Sequence, residues 1–179
     1  MRRGLLGTVD RRVMARVAEA DSVVLDRVLP ALGRSANYGR LWWATSGVLV
    51  LTGQSRAALR GLGSLALASF TANVLSKQLI GRKRPSVAAI PLRRRLRRPP
   101  VGTSFPSGHS ASAAAFTTGV ALESPVAAVP IGVLAIGVAA SRVATGAHYP
   151  SDVLAGVALG VGSGLLSRWW WPRVRAAAW

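Results

Sequence analysis

The chain has 179 residues, half of them hydrophobic, a formal net charge of +17 and no cysteine. The lack of cysteine excludes disulfides, thiol nucleophiles and cysteine metal sites. Six carboxylates and two histidines are a small supply of acid–base groups. The basic charge permits nucleic-acid binding, but the arginines lie beside apolar segments without interleaved aromatic residues, so we expect no nucleic-acid partner.

The apolar residues fall in long blocks of low charge. The charge-free blocks are residues 41–53, 62–76 and 153–167. In residues 110–140 the only charged residue is Glu123. A bilayer core needs about 20 mostly apolar residues in a helix, so the pattern predicts an all-α, polytopic membrane bundle with about five transmembrane helices. The alternative, an Ala-rich soluble bundle, should show polar faces at helical spacing, and residues 126–140 have none.

The first 34 residues have a different character. Charged and aliphatic residues alternate there at helical spacing, which predicts an amphipathic helix on the membrane surface over about residues 3–30. This segment is too charged for a cleavable signal peptide. It holds four of the six carboxylates, which we assign to a solvated face: Asp10, Glu19, Asp21 and Asp26.

Five spans follow in chain order, within a single domain over residues 1–179. A Gly/Asn turn near 33–39 leads into the first span, and Trp42 and Trp43 are expected to anchor it at the interface. An N-cap at Ser151-Asp152 is expected to open the last span. The expected spans are about 38–53, 60–79, 107–123, 125–144 and 152–171.

A long polar stretch, residues 81–103, separates the second and third spans. Its four prolines argue against one continuous helix. Its basic residues, Arg82, Lys83 and the run Arg93–Arg98, are interpreted as topogenic or as attracting anionic lipid headgroups.

Three polar clusters punctuate the apolar blocks. They are Lys77 with Arg84-Pro85, Pro106-Ser107-Gly108-His109, and Ser141-Arg142 with His148 and Asp152. Consecutive spans alternate in direction, so all three clusters are expected on one face of the bilayer. Residues far apart in sequence then form one site.

The chemistry of each cluster has a functional and a structural interpretation. His148 and Asp152, four apart, share a helix face. Either the carboxylate orients the imidazole as nucleophile or base, or His148 caps a helix and Asp152 is its N-terminal acid. The Pro106–His109 segment is either an anion cradle at a helix start or an ordinary proline-capped one. Lys77 is either functional or snorkels to the interface.

Taken together, the clusters resemble the three-part signature of the type 2 phosphatidic acid phosphatase family. These are membrane lipid phosphatases related in fold to vanadium haloperoxidases and bacterial acid phosphatases. The signature is K-x6-R-P, P-S-G-H and S-R-x5-H-x3-D, and every position is filled here, in order. The resemblance covers about residues 70–160.

The resemblance implies a two-step phosphoryl transfer without metal or other cofactor. His148 attacks phosphorus to form a phosphohistidine, Asp152 orients the imidazole, and His109 protonates the leaving group and then activates water. The implied phosphate-binding residues are Lys77, Arg84, Ser107, Gly108 and Arg142. The implied partners are a lipid phosphate substrate and membrane lipids; oligomeric state stays open.

Charge distribution predicts the sidedness. Of the 23 Lys and Arg residues, 18 fall on the face of the three clusters. The other face has Arg56, Arg60, Arg168, Arg173 and Arg175. The positive-inside rule then predicts a cytoplasmic site in a bacterial inner membrane.

A cytoplasmic site suits a biosynthetic lipid phosphate. The small size and Ala/Arg-rich composition look like actinobacterial family members, so the leading substrate hypothesis is a polyprenyl-linked sugar phosphate such as decaprenylphosphoryl-phosphoribose. Phosphatidic acid, phosphatidylglycerophosphate and undecaprenyl diphosphate are the alternatives. A non-catalytic, basic protein that binds anionic lipid is the alternative outside enzymology.

Overall fold

The computed structural model describes residues 5–76, 81–98 and 100–172. All regular structure in these residues is helical and none is β-strand, as predicted. The α-helices among them are α1 (Leu5–Glu19), α2 (Leu29–Ser35), α3 (Arg40–Leu51), α4 (Ser55–Phe70), α5 (Gly108–Ala121), α6 (Pro125–Ala144) and α7 (Pro150–Trp170). The bounds of α3, α5, α6 and α7 lie close to those of the predicted spans. Helix α4 begins earlier than predicted, at Ser55, and the predicted end of the second span lies outside the described residues.

Helix α5 is the centre of the bundle and packs against α4, α6 and α7. Its closest neighbour is α7, which presents Gly156, Gly160 and Gly164 to it at every fourth position. A Cβ added to Gly160 would lie 2.2 Å from the carbonyl oxygen of Ala111. Small residues therefore allow the two backbones to approach closely.

Two helices satisfy the length and composition expected of a membrane span. Helices α6 and α7 have 20 and 21 residues and are mainly apolar. Helices α3 and α5 have 12 and 14 residues, fewer than the roughly 20 that cross a bilayer core. Helix α4 has 16 residues and continues directly into a π-helical segment, Thr71–Ser76. Helix α6 also carries a stripe of large aliphatic side chains that are 67–84% exposed: Val126, Val129, Val133 and Ile136.

The N-terminal segment is not the single surface helix predicted. Helix α1 ends at Glu19, and a π-helical turn (Val24–Val28) leads into α2. Helix α1 ends where Arg94 donates hydrogen bonds to the carbonyls of Val17, at 2.5 Å, and Ala20. These are among the last carbonyls of a helix, which have no partner within it.

The prediction that all four carboxylates of this segment belong to a solvated face is wrong for two of them. Asp10 is 2% exposed, and Asp26 forms ion pairs with Arg93 at 2.6 Å and Arg94 at 2.5 Å. The side chain of Arg94 is itself buried. The arginine run therefore ties the central polar stretch to the N-terminal segment, a structural role that the topogenic interpretation misses.

One predicted membrane anchor is also wrong. Trp42 is buried and packs against Phe116, with ring centroids 5.2 Å apart. Trp43, its neighbour, is exposed. Helix α3 thus turns one tryptophan into the core and leaves the other on the surface. The polar stretch 81–103 contains only short 3₁₀ turns among its described residues, as its prolines predict.

Candidate active site

A cavity of about 780 Å³ opens at the end of the bundle where α5 begins and α6 ends. Five of the residues predicted for the site line it: Arg84, Gly108, His109, Arg142 and His148. They come from three separate parts of the sequence. The predicted convergence of the clusters on one end of the bundle is therefore confirmed for these residues. Lys77 lies outside the described residues.

His148 lies in the turn between α6 and α7, and its surroundings define its tautomer. Its Nδ1 is 2.6 Å from the carbonyl oxygen of Ser104, which only accepts hydrogen bonds. Its Nε2 is 3.3 Å from Nη1 of Arg84, which only donates. Nδ1 therefore carries the proton, and Nε2 is the unprotonated nitrogen whose lone pair can act as a nucleophile.

The charge state of His148 agrees with this assignment. Burial lowers its pKa to about 3, and the positive charge of Arg84 contributes in the same direction. Both effects disfavour the imidazolium. The imidazole is therefore neutral at pH 7, as a nucleophile must be.

Asp152 lies near His148 without the direct hydrogen bond that the i, i+4 spacing predicts. Its Oδ2 is 3.9 Å from Nδ1 of His148 and accepts from the backbone N–H of Tyr149 at 2.9 Å. The reason is that the carbonyl of Ser104 already takes the Nδ1 proton. Asp152 is the third residue of α7, which begins at Pro150 with Tyr149 as N-cap, so the predicted cap at Ser151-Asp152 is displaced.

The two arginines of the site are held in different ways. Arg84 donates to the carbonyls of Ala147, at 2.8 Å, and Gly102, at 3.2 Å. Arg142 is buried and donates through Nε to Ser141 Oγ at 3.0 Å, while its Nη2 has no hydrogen-bond partner among the described residues. An unpartnered, buried guanidinium nitrogen beside the cavity can donate to an anion.

The second histidine has a partner that the sequence did not identify. His109 is in the first turn of α5, and its Nε2 is 2.9 Å from Oδ1 of Asn37. Asn37 lies 72 positions away and also lines the cavity. The only sequence signal was a Gly/Asn turn, which indicates a chain reversal and not a contact with His109.

Ser107 and Gly108 have different positions relative to the cavity. The Ser107 hydroxyl is fully buried, accepts from the backbone N–H of Ser110 at 3.4 Å and lies 2.9 Å from Ser110 Oγ. It caps α5 and is absent from the cavity lining, whereas Gly108 is part of it. In this structure Gly108 therefore faces the cavity, and Ser107 supports the helix start.

Arg82 was interpreted as topogenic, but the structure places it within the site's support. Its Nη1 donates to Asp152 Oδ1 at 2.6 Å, and its Nη2 donates to Asp10 Oδ2 at 2.6 Å. Arg82 also lies over the ring of Tyr149, 4.4 Å from its centroid. The guanidinium thus joins the start of α7 to helix α1.

The cavity thus combines a buried, neutral histidine with two arginines, and one nitrogen of Arg142 has no partner among the described residues. The family model described as PAP2 superfamily matches residues 57–176. The chain therefore belongs to the PAP2 superfamily, which confirms the resemblance drawn from the three-part signature.

Curated relatives match parts of the chain. A decaprenylphosphoryl-5-phosphoribose phosphatase of Mycobacterium tuberculosis is 39% identical over 106 residues, 58% of this chain and 56% of its own length. A lipid A 1-phosphatase of Rhizobium johnstonii is 48% identical over 64 residues, 36% of this chain and 26% of its own. The chain thus spans between about a quarter and just over half of these relatives.

Two solved structures share the fold. A transmembrane PAP2 type phosphatidylglycerolphosphate phosphatase from Bacillus subtilis superposes with a TM-score of 0.71 at 23% identity, covering 94% of this chain and 89% of its own. Aquifex aeolicus LpxE gives a TM-score of 0.69 at 20% identity, covering 89% and 94%. At these identities the likeness concerns the fold.

Proposed function

We propose that the protein is an integral membrane lipid phosphatase that hydrolyses a phosphomonoester or diphosphate through a phosphohistidine. One observation carries the proposal. A neutral His148, unprotonated at Nε2, lines the same cavity as His109. Membership of the PAP2 superfamily and the names of the relatives support it.

In the first step, Nε2 of His148 attacks phosphorus while the bond from phosphorus to the leaving oxygen breaks. His109 gives its proton to that oxygen. Nδ1–H of His148 remains bonded to Ser104, and the carboxylate of Asp152, 3.9 Å away, stabilises the positive charge that develops on the ring.

In the second step, His109 accepts a proton from water, and the water oxygen attacks phosphorus. The phosphorus–Nε2 bond breaks, which restores neutral His148 and releases phosphate. Arg84, Arg142 and the Gly108 amide hold the phosphoryl oxygens and their charge throughout. For Ser107 we propose support of the helix start, and Lys77 stays a predicted phosphate ligand.

The substrate we favour is a polyprenyl-linked sugar phosphate. Three arginine side chains line the outer cavity without a hydrogen bond or ion pair among the described residues: Arg34, Arg97 and Arg98. Guanidinium groups without acidic partners suit a second phosphate on the substrate. A second phosphate is present in decaprenylphosphoryl-5-phosphoribose, phosphatidylglycerophosphate and undecaprenyl diphosphate. Phosphatidic acid has only one phosphate.

For the setting, we propose five membrane helices, α3 to α7, in a bacterial inner membrane with the cavity on the cytoplasmic side. The exposed aliphatic stripe of α6 and the charge asymmetry support this placement. Helices α3 and α5 are short enough to leave the polar cavity near the membrane surface, where a lipid headgroup lies.

The decisive experiment measures phosphate release by purified protein from a panel of these lipid phosphates and lipid A. Wild type is expected to favour substrates with a second phosphate and to keep its rate in chelator. The activity of His148→Ala is expected to fall about a thousandfold or more, because the substitution removes the imidazole that attacks phosphorus in the proposed mechanism.

A rate of His148→Ala equal to that of wild type contradicts the enzyme proposal and favours the anionic-lipid-binding alternative. Loss of wild-type activity in chelator contradicts the metal-free mechanism. Rapid quench of the ³²P-labelled reaction in alkaline denaturant tests the intermediate, because the phosphorus–nitrogen bond of a phosphohistidine survives base but is hydrolysed in acid. Label bound to the protein is expected for wild type and not for His148→Ala.

A further inference from the structure

Asp10 of α1 is a buried carboxylate outside the family match. It is 2% exposed, although its helix carries exposed charged residues on other faces. Its Oδ1 accepts from the backbone N–H of Ser151 at 3.0 Å, and its Oδ2 accepts from the Ser151 hydroxyl at 2.6 Å. The same Oδ2 accepts from Arg82 Nη2 at 2.6 Å. A residue of the N-terminal helix therefore binds the first turn of α7.

Arg82 extends this contact to the site. Its other terminal nitrogen, Nη1, donates to Asp152 Oδ1 and to the Ser151 hydroxyl, at 2.6 and 2.7 Å. Asp152 in turn lies 3.9 Å from His148. A continuous polar chain thus runs from Asp10 through Arg82 and Asp152 to the proposed nucleophile.

The charges along this chain are complementary. Burial raises the pKa of Asp10, but hydrogen bonds from Ser151 and Arg82 outweigh it and hold that pKa below its ordinary value. Asp10 is therefore ionised at neutral pH. One guanidinium between two carboxylates satisfies both, and removing either partner leaves a partly buried charge without its match.

We propose, on the basis of the phosphatase activity proposed above, that Asp10 is a positioning residue for His148. Asp10 fixes Nη2 of Arg82, so that Nη1 of the same guanidinium holds Asp152 and the turn 148–151 in the productive geometry. Asp10 is absent from the cavity lining, so it acts through these partners. A positioning residue affects the rate of the chemical step and leaves substrate binding nearly unchanged.

The test compares Asp10→Asn with wild type in purified, full-length protein. Asparagine keeps the shape and the acceptor for Ser151 but removes the charge that holds Arg82. We expect kcat to fall about 10- to 100-fold, since a small displacement of catalytic groups has effects of that size, while KM stays within about twofold.

Controls separate positioning from general effects. Glu19→Gln removes a carboxylate from the same helix, where Glu19 is exposed and makes no hydrogen bond or ion pair among the described residues, and should retain wild-type kcat. Asp10→Glu restores the charge and should recover part of the loss. The thermal unfolding midpoint is measured for each variant. A wild-type kcat for Asp10→Asn, or a rise in KM alone, overturns the inference.

A second variant covers the case in which Asp10→Asn does not fold. Ser151→Ala removes the hydroxyl that links Asp10 and Arg82 but keeps both charges, and we expect kcat to fall about threefold to tenfold. Wild-type kcat in a folded Ser151→Ala then overturns the inference. A wild type that releases no phosphate from any lipid instead refutes the proposed function itself.

Discussion

At the residue scale, Gly33 of α2 lies directly against the guanidinium of Arg142. A Cβ added to Gly33 would be 1.9 Å from Nη2 of Arg142 and 2.5 Å from the hydroxyl oxygen of Ser141. Arg142 lines the cavity, so a Cβ at position 33 would displace its guanidinium from the place it now occupies. The only residue that fits this position without displacing Arg142 is glycine.

We therefore predict that Gly33→Ala lowers kcat/KM about 10- to 100-fold, because it moves a phosphate-binding guanidinium out of place. Gly47→Ala is the matched control, since a Cβ on Gly47 meets nothing within 4 Å and should leave activity unchanged. Steady-state kinetics of the two variants provide the measurement. Equal kcat/KM for Gly33→Ala and wild type would contradict the placement of Arg142.

At this scale, the spacing of the three clusters predicted the cavity positions of Arg84, Gly108, His109, Arg142 and His148. Asn37, Ser104 and Asp10 escaped prediction because each contacts the site across a long sequence separation: 72 positions for Asn37 to His109, 44 for Ser104 to His148 and 141 for Asp10 to Ser151. The spacing of residues along one element does not reveal contacts with a distant segment. In the sequence, a carboxylate that is buried on an amphipathic helix cannot be distinguished from one that faces solvent.

At the element scale, the pairing of α5 with α7 depends on glycines at every fourth position. A Cβ on Gly160 would lie 2.2 Å from the Ala111 carbonyl oxygen and 2.8 Å from Ala114 Cβ. The nearest group is backbone, which cannot rotate away. Gly162, two positions along the same helix, has nothing within 4 Å of its added Cβ.

Gly160→Ala should therefore separate the helices and destabilise the protein by about 1–3 kcal/mol. Gly162→Ala should be neutral or stabilising by up to about 1 kcal/mol, because alanine favours a helix over glycine. Thermal unfolding in one detergent compares the two. A similar shift in both variants would show that α5 and α7 are not in close contact.

The start of α6 was predicted well, because Pro125 marks it, whereas α7 begins at Pro150, before the expected cap at Ser151-Asp152. The N-terminal segment was predicted poorly, because the end of α1 depends on Arg94, a residue 74 positions after Ala20. Trp42 was misassigned for a related reason. Composition identifies a tryptophan near a helix end but does not say which side of α3 packs on Phe116.

At the scale of the whole molecule, the two ends of the bundle differ in charge. The end with the cavity includes the N-terminal segment and the central arginine run, joined by the pairs of Arg93 and Arg94 with Asp26. At the opposite end, Arg56 and Arg60 pair with Glu123 at 3.3 and 2.7 Å. Glu123 neutralises part of the positive charge at that end. The other five carboxylates lie on the cavity side, where they neutralise part of a much larger positive charge, so the asymmetry remains.

This asymmetry predicts that the cavity faces the cytoplasm. The chain has no cysteine, so a single introduced cysteine reports one position. In intact spheroplasts, a membrane-impermeant maleimide should label Thr52→Cys, which lies in the turn after α3. The same reagent should label Leu92→Cys, which is exposed at the cavity end, only after lysis. A reporter fused after Trp179 should likewise appear outside the cytoplasm. The two residues lie in exposed connections at opposite ends of the bundle. If Leu92→Cys were labelled in intact spheroplasts and Thr52→Cys were protected, the site would lie on the outer face.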